Sequence, residues 1–177
     1  MQNILFNQFF CSGQYLRGYV SSHPSPVGIE IGCETGKTTK FLLDCNPNLK
    51  LYSIDPFENY VDWNGAHLNR METLYEETMA ILKPYGDRFT HYRKYSDDAA
   101  AGFDDESIDF IFIDGLHTYE QVLKDSINYY PKIKKNGLFA GHDYSAVKGV
   151  GRAVDEFASK VNKQVNHTEC DVWFWYK

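Results

Sequence analysis

The chain has 177 residues, 43% of them hydrophobic and 16% aromatic, which is enough apolar material for one domain with a sizeable core. Its 18 Lys and Arg against 24 Asp and Glu give a formal charge of −6. That excludes a sequence-blind nucleic-acid binder, because phosphate contacts need a concentrated basic face. No stretch approaches the ~20 apolar residues of a membrane span. The opening MQNILFNQFF lacks a basic n-region, and its apolar run is broken by Asn7 and Gln8, so no signal peptide is expected. Cys11, Cys33, Cys45 and Cys170 show no C-x-x-C pair and are expected to be reduced thiols in a cytoplasmic protein.

In chain order, residues 1–26 are expected to form an N-terminal helical segment that serves as a lid. VGIEIGC, from Val27, predicts a strand, and TGKTTKFLLDC a helix with Phe41, Leu42 and Cys45 at helical spacing. LKLYSIDPF predicts a second strand stopped at Asp55-Pro56. ENYVDWNGAHLN has no clear period and is placed like a lid. NRMETLYEETMAILKPYG predicts a helix ended by Pro84 and Gly86, and RFTHYRKY a third strand. SDDAAAGF begins a short helix with Ser96 as its expected N-cap. SIDFIFIDG carries the continuous apolar run of a strand covered on both faces. TYEQVLKDSINYYPKI predicts a helix with Tyr119, Val122, Leu123, Ile127 and Tyr130 as its apolar stripe. Asn136-Gly137 is expected to turn the chain into the strand GLFAGHDY, followed by the helix VKGVGRAVDEFASKV. QVNHTEC and VWFWYK predict a hairpin turning at Cys170-Asp171. This alternation predicts a single α/β domain over residues 1–177. Its fold is a doubly wound, Rossmann-like, mainly parallel sheet of about seven strands, with helices on both faces and a C-terminal antiparallel hairpin strand.

GIEIGCETGKTTKF, Gly28 to Phe41, decides the functional reading. It ends like a nucleotide-phosphate loop, G-x-x-x-x-G-K-[ST], but the first glycine stands at Gly32 where the spacing demands Ile31, and Glu34 puts a negative charge inside the loop. Read as E-x-G-x-x-x-G-x-T, the same residues suit a cationic ligand without phosphate. Gly32 and Gly36 allow close backbone approach, the helix N-terminus after Gly36 can hold a carboxylate, and Glu30 can accept from an ammonium. Asp55, about twenty residues past the loop, is placed for ribose hydroxyls. An amino-acid end, a sulfonium and a ribose together describe S-adenosylmethionine.

IEIGCETGKTT, YSIDPF, FIFIDGLHTYEQVLKD and KNGLFAGHDY, with GVGRAVDEF behind them, resemble the class I S-adenosylmethionine-dependent methyltransferases. The likeness is greatest to the bacterial branch of macrocin-type sugar O-methyltransferases, which is related in pattern to the catechol O-methyltransferases. Glu34 stands at the middle glycine of the commonest loop, a glycine the O-methyltransferase branches often lack too. The resemblance implies that Glu30, Gly32, Gly36, Thr38, Asp55, Ser96, Asp97 and Asp114 bind the cofactor. It further implies that Asp114, His142 and Asp143 can hold Mg²⁺ or, with a histidine in the set, Mn²⁺. His117 is the first candidate for general base, on its ordinary pKa of ~6.5, and His142 the second. Trp63, His67 and Tyr144 are candidates to line a pocket for a small hydroxylated acceptor such as a sugar or glycoside. Nucleic acid and membrane are not expected as partners. The aromatic tail Trp173 to Tyr176 could support a homo-oligomer, although strand alternation buries half of it. Two alternatives stay open: a metal-dependent hydrolase built from Asp114, His117, His142 and Asp143, and a non-catalytic S-adenosylmethionine-binding module.

Overall fold

Seven strands build one sheet in the order β5-β2-β1-β6-β7-β9-β8. The structure, a computed structural model, describes residues 13–61, 65 and 67–177. Helix α1 spans 13–22. It is followed by β1 (Val27–Ile31), α2 (Lys37–Cys45) and β2 (Lys50–Ile54), then by a two-stranded ribbon of β3 (Tyr60–Val61) and β4 (His67–Leu68). Next come α3 (Met71–Leu82), β5 (Phe89–Tyr92), α4 (Ser96–Ala99), β6 (Ile108–Ile113) and α5 (Tyr119–Tyr129). The chain closes with β7 (Ile133–Gly141), α6 (Lys148–Lys160), β8 (Asn166–His167) and β9 (Trp173–Tyr176). The first five strands in chain order within the sheet are parallel, and β9 returns antiparallel beside β7 with β8 paired to it.

Strand β6 shows why the sheet has two cores. Phe110 and Phe112 pack on one face with Leu16, Val20, Leu42 and Leu138, while Ile111 and Ile113 pack on the other with Val122, Val150, Val154 and Trp173. The side-chain period of two divides an all-apolar run between two helical layers. Helix α1 belongs to the first layer: Tyr19 Oη donates to the Asp109 carbonyl at the start of β6, and Asn46 Nδ2 donates to the Val20 carbonyl. Residues 1–12, the rest of the segment expected as a lid, lie outside the described residues.

Four local expectations are corrected. Tyr95, not Ser96, is the N-cap of α4, because the Ser96 hydroxyl is drawn to a buried carboxylate, Asp125. Ile127 is 49% exposed; α5 buries Val122, Asp125, Ser126 and Tyr129 instead. Asn136, at φ 64°, and Gly137 form a bulge within β7 rather than a turn before it, and the register against β6 steps from Ile108↔Ile133 to Phe110↔Leu138. Cys33 and Cys45 are free, but Cys170 is disulfide-bonded, a pairing that cysteine spacing alone does not reveal. The aromatic tail is mostly core: Trp173 and Trp175 are buried, and the Phe174 ring lies 4.3 Å from that of Tyr15. No helix among the described residues is long and apolar enough to cross a membrane.

Candidate active site

A cleft of ≈ 520 Å³ opens at the carboxyl ends of the parallel strands, where open α/β sheets bind their ligands. The β1–α2 loop forms its floor. Gly32 has φ 92°, and a Cβ there would stand 2.0 Å from the Asp114 carbonyl oxygen, so only glycine lets β1 and the end of β6 approach this closely. Gly36, at φ 67°, is the N-cap of α2, and no side chain caps that helix. Its first-turn N–H groups, beside Lys37 and Thr38 in the cleft wall, can hold a carboxylate.

Asp55 answers the phosphate-loop question physically. Its Oδ2 accepts from the backbone N–H of Cys33 and of Glu34, each at 3.0 Å, and its Oδ1 from Phe57 N at 2.8 Å. The loop donors that would wrap a phosphate are turned onto the protein's own carboxylate. Glu30, 1% exposed, accepts from the Thr39 hydroxyl, and burial pushes its carboxyl up to about 8 against that hydrogen bond.

At the β6 and β7 ends four ionisable groups converge. His117 Nε2 lies 2.9 Å from Asp143 Oδ2 and 3.4 Å from Asp114 Oδ1. His142 Nδ1 lies 3.2 Å from Asp143 Oδ1 and 3.9 Å from Asp114 Oδ1. On its far side His142 Nε2 is 3.1 Å from the Cys170 carbonyl, an acceptor only, so Nε2 carries the proton and Nδ1 faces the carboxylates. Burial opposes charge on both rings, but the carboxylates outweigh it, lifting His117 to about 10 and His142 to about 8. The same contacts overcome burial at Asp143 and hold its carboxyl well below the usual range. Asp143 adopts φ 59°, a left-handed backbone conformation that costs energy in a non-glycine residue and here aims its carboxylate between the two rings.

A family model described as a methyltransferase domain matches residues 29–144. The chain belongs to that family. Solved structures of similar fold include the O-methyltransferase NovP, 17% identical, covering 94% of this chain and 79% of its own, at a TM-score of 0.74. The O-methyltransferase from Bacillus cereus in complex with SAH is 12% identical, covers 94% and 81%, and has a TM-score of 0.67. TomG from Streptomyces achromogenes, an O-methyltransferase involved in tomaymycin synthesis and solved with SAM, is 11% identical, covers 92% and 77%, and also has a TM-score of 0.67. At these identities the likeness is one of fold, the doubly wound methyltransferase sheet. No curated protein matches the chain in sequence.

Within this methyltransferase domain, Glu30, Gly32, Thr38, Asp55, Ser96, Asp114, His117, His142 and Asp143 all line one cleft. Asp97 does not. It faces outward to Lys124, 2.6 Å away, and to Asn128. Tyr144 also stands apart, its hydroxyl donating to Asp155 and its ring stacked on His167. Trp63 and the side chain of His67 lie outside the described residues. Tyr60, Tyr95, Leu116, Gln121 and Asp125 also line the cleft, although no expected site role falls on them. Their signal is there only in part: Gln121 and Asp125 stand one turn apart on α5, but polar residues on a helix are ordinarily assigned to solvent.

The donor set suits a divalent cation. One ligand atom each from Asp114, His117 and Asp143 lies within 4.8 Å of the others, and His142 Nδ1 borders the same carboxylates. An imidazole among the donors favours Mn²⁺ or another transition ion over Mg²⁺, which prefers oxygen.

Proposed function

We propose that the chain is an O-methyltransferase acting on a small hydroxylated acceptor, such as a sugar or glycoside, with a divalent cation beside the acceptor. The convergence of Asp114, His117, His142 and Asp143 at one end of the ligand cleft is the observation that carries this reading. Asp114, His117 and Asp143 would hold the cation, which when bound lowers the pKa of a coordinated hydroxyl. The metal set anticipated from the sequence placed His142 where the geometry favours His117. An unperturbed value of ~6.5 no longer describes His117. As a ligand His117 would give its Nε2 lone pair to the cation, which leaves His142, whose Nδ1 faces the same carboxylates, as the group to take the acceptor's proton. The chain's remaining part is alignment: the loop at Gly32 and the carboxylate of Glu30 hold the donor so that its methyl faces the acceptor oxygen. A hydrolase made of the same four groups leaves the glycine loop and Asp55 without a task. A binding module leaves the four-group cluster without one.

Calorimetric titration of metal-stripped protein tests this. S-adenosylmethionine should bind saturably and ATP not at all. Mn²⁺ should bind more tightly than Mg²⁺, and Asp143→Ala should lose the metal heat while keeping the fold. ATP binding without an S-adenosylmethionine signal would sink the assignment.

A further inference from the structure

In the reaction proposed, His142 stays off the cation, yet the fold presents its ring as metal ligands are presented. Its side chain is 13% exposed, and Nε2 donates to the Cys170 carbonyl at 3.1 Å. Nδ1 therefore turns its lone pair toward Asp143 Oδ1 at 3.2 Å and Asp114 Oδ1 at 3.9 Å. A ligating histidine ordinarily gives its second N–H to a carbonyl or carboxylate, which fixes both tautomer and ring orientation. Trp173 Nε1, donating to the His142 carbonyl at 3.2 Å, holds the backbone of the same residue.

His117 approaches the carboxylates from the other side, its Nε2 2.9 Å from Asp143 Oδ2 and 3.4 Å from Asp114 Oδ1. Each ring thus meets both carboxylates, and Asp143 offers one oxygen to each ring. Ligand atoms around one four-coordinate ion, at bonds of about 2.0–2.2 Å, lie roughly 3.4 Å from one another. The four ring-to-carboxylate separations bracket that spacing. Asp114, His117 and Asp143 already lie within 4.8 Å of one another, and His142 joins them through the carboxylates.

Different ions divide such a set differently. Mn²⁺ favours octahedral, oxygen-rich coordination, so three protein donors leave it positions for water and a hydroxyl. Zn²⁺ accepts imidazole and carboxylate alike, is satisfied by four ligands, and with four from the protein forms a closed site. At a given N/O site it also binds more tightly than Mn²⁺. We propose that Zn²⁺ is held by all four groups, Asp114, His117, His142 and Asp143, in a closed site that displaces the working cation. The consequence rests on the methyltransferase reading: zinc removes both the open position for the acceptor hydroxyl and the His142 lone pair that takes its proton. Zinc therefore switches the enzyme off.

The test uses the full chain stripped of metal, with Zn²⁺, Mn²⁺ and Co²⁺ as probes. Calorimetry should show Zn²⁺ binding weakened by about a hundredfold or more in His142→Ala, since losing a ligand exceeds the 10–100-fold of an outer-shell partner. Mn²⁺ affinity should fall by less than about tenfold, because His142 is not among its ligands. Co²⁺ reports its coordination through its visible spectrum: wild type should give the intense band of a four-coordinate ion, and the variant a weak one. His142→Gln serves where the alanine variant does not fold. Zinc affinity that falls no further than manganese affinity, or a weak Co²⁺ band in wild type, overturns the proposal. S-adenosylhomocysteine titrated into the same samples keeps the two failures apart. If wild type does not bind it, the methyltransferase reading is removed, while the four-ligand zinc site stands or falls on the metal results.

Discussion

Glu30 is the residue whose chemistry is most at odds with its surroundings. A carboxyl with 1% exposure at the floor of a cleft that also holds Asp55 and Asp114 is costly to ionise, and burial lifts it to about 8. The sign of its effect on stability follows. An unfolded Glu ionises near ~4.3, while the folded protein keeps the proton until about 8, so the chain loses stability as pH rises across that window. Glu30→Gln preserves an acceptor for Thr39 and removes the penalty. Thermal denaturation should show the variant near wild type at pH 4 and ahead of it by several degrees above pH 8. A constant offset at all pH values would mean that ionisation of Glu30 is not the cause. The same variant should bind S-adenosylmethionine more weakly, since a cationic ligand is what rewards the ionised form.

At the scale of elements, the β1–α2 loop and the strand beside it are built as one piece. Gly32 N donates to the Ile54 carbonyl at 2.9 Å, Asp114 N donates to the Ile31 carbonyl at 2.8 Å, and the space above Gly32 is filled by the Asp114 carbonyl. Gly32→Ala meets both a left-handed φ and a backbone atom that cannot step aside, so it should cost roughly 2–4 kcal/mol, beyond the ~1 kcal/mol of a φ penalty alone. Urea unfolding measures this, and a loss under 1 kcal/mol would show that the loop can move away from β6. This loop was legible in the sequence, since a glycine directly after a buried strand marks a sharp turn or a close backbone approach, and Gly32 makes both. The strands were legible as well, because IDFIFI and its parallel neighbours are apolar without interruption. Helix α5 was legible as a helix but not in its facing. Counting apolar residues placed Ile127 inward, whereas the face that packs is Val122, Asp125, Ser126 and Tyr129, two of them polar and joined to Ser96 or to their own helix. Pattern reading assigns polarity to solvent, and a buried hydrogen-bond network breaks that rule. The bulge at Asn136 escaped for a related reason: its dipeptide is the usual turn signal, and only pairing with β6 decides that the strand continues through it.

Across the whole molecule, the candidate metal cluster is steadied from outside the cleft by the last strand. Trp173 on β9 is fully buried, its ring covers Gly141 at the end of β7, and its Nε1 donates to the His142 carbonyl at 3.2 Å. His142 is also held through Nε2 by the Cys170 carbonyl in the turn before β9. The turn is itself anchored by Asp171, whose two carboxylate oxygens accept from Ser145 N and Ala146 N just after Asp143. The antiparallel hairpin thus does more than close the sheet edge; it fixes the two residues that follow β7 from both backbone and side chain. Trp173→Phe retains an aromatic ring against Phe139 and Trp175 but removes the donor to His142. Loss of one such hydrogen bond with modest repacking should cost about 1–3 kcal/mol in urea unfolding. If the carbonyl contact positions the site, Mn²⁺ affinity should fall by about tenfold or more, as for partners that orient metal ligands elsewhere. S-adenosylhomocysteine affinity, which the proposed function assigns to the β1, β2 and β5 ends, should change little. A variant that loses stability and keeps its metal affinity would show that the hairpin supports the fold alone, and that β7 presents His142 and Asp143 without help from β9.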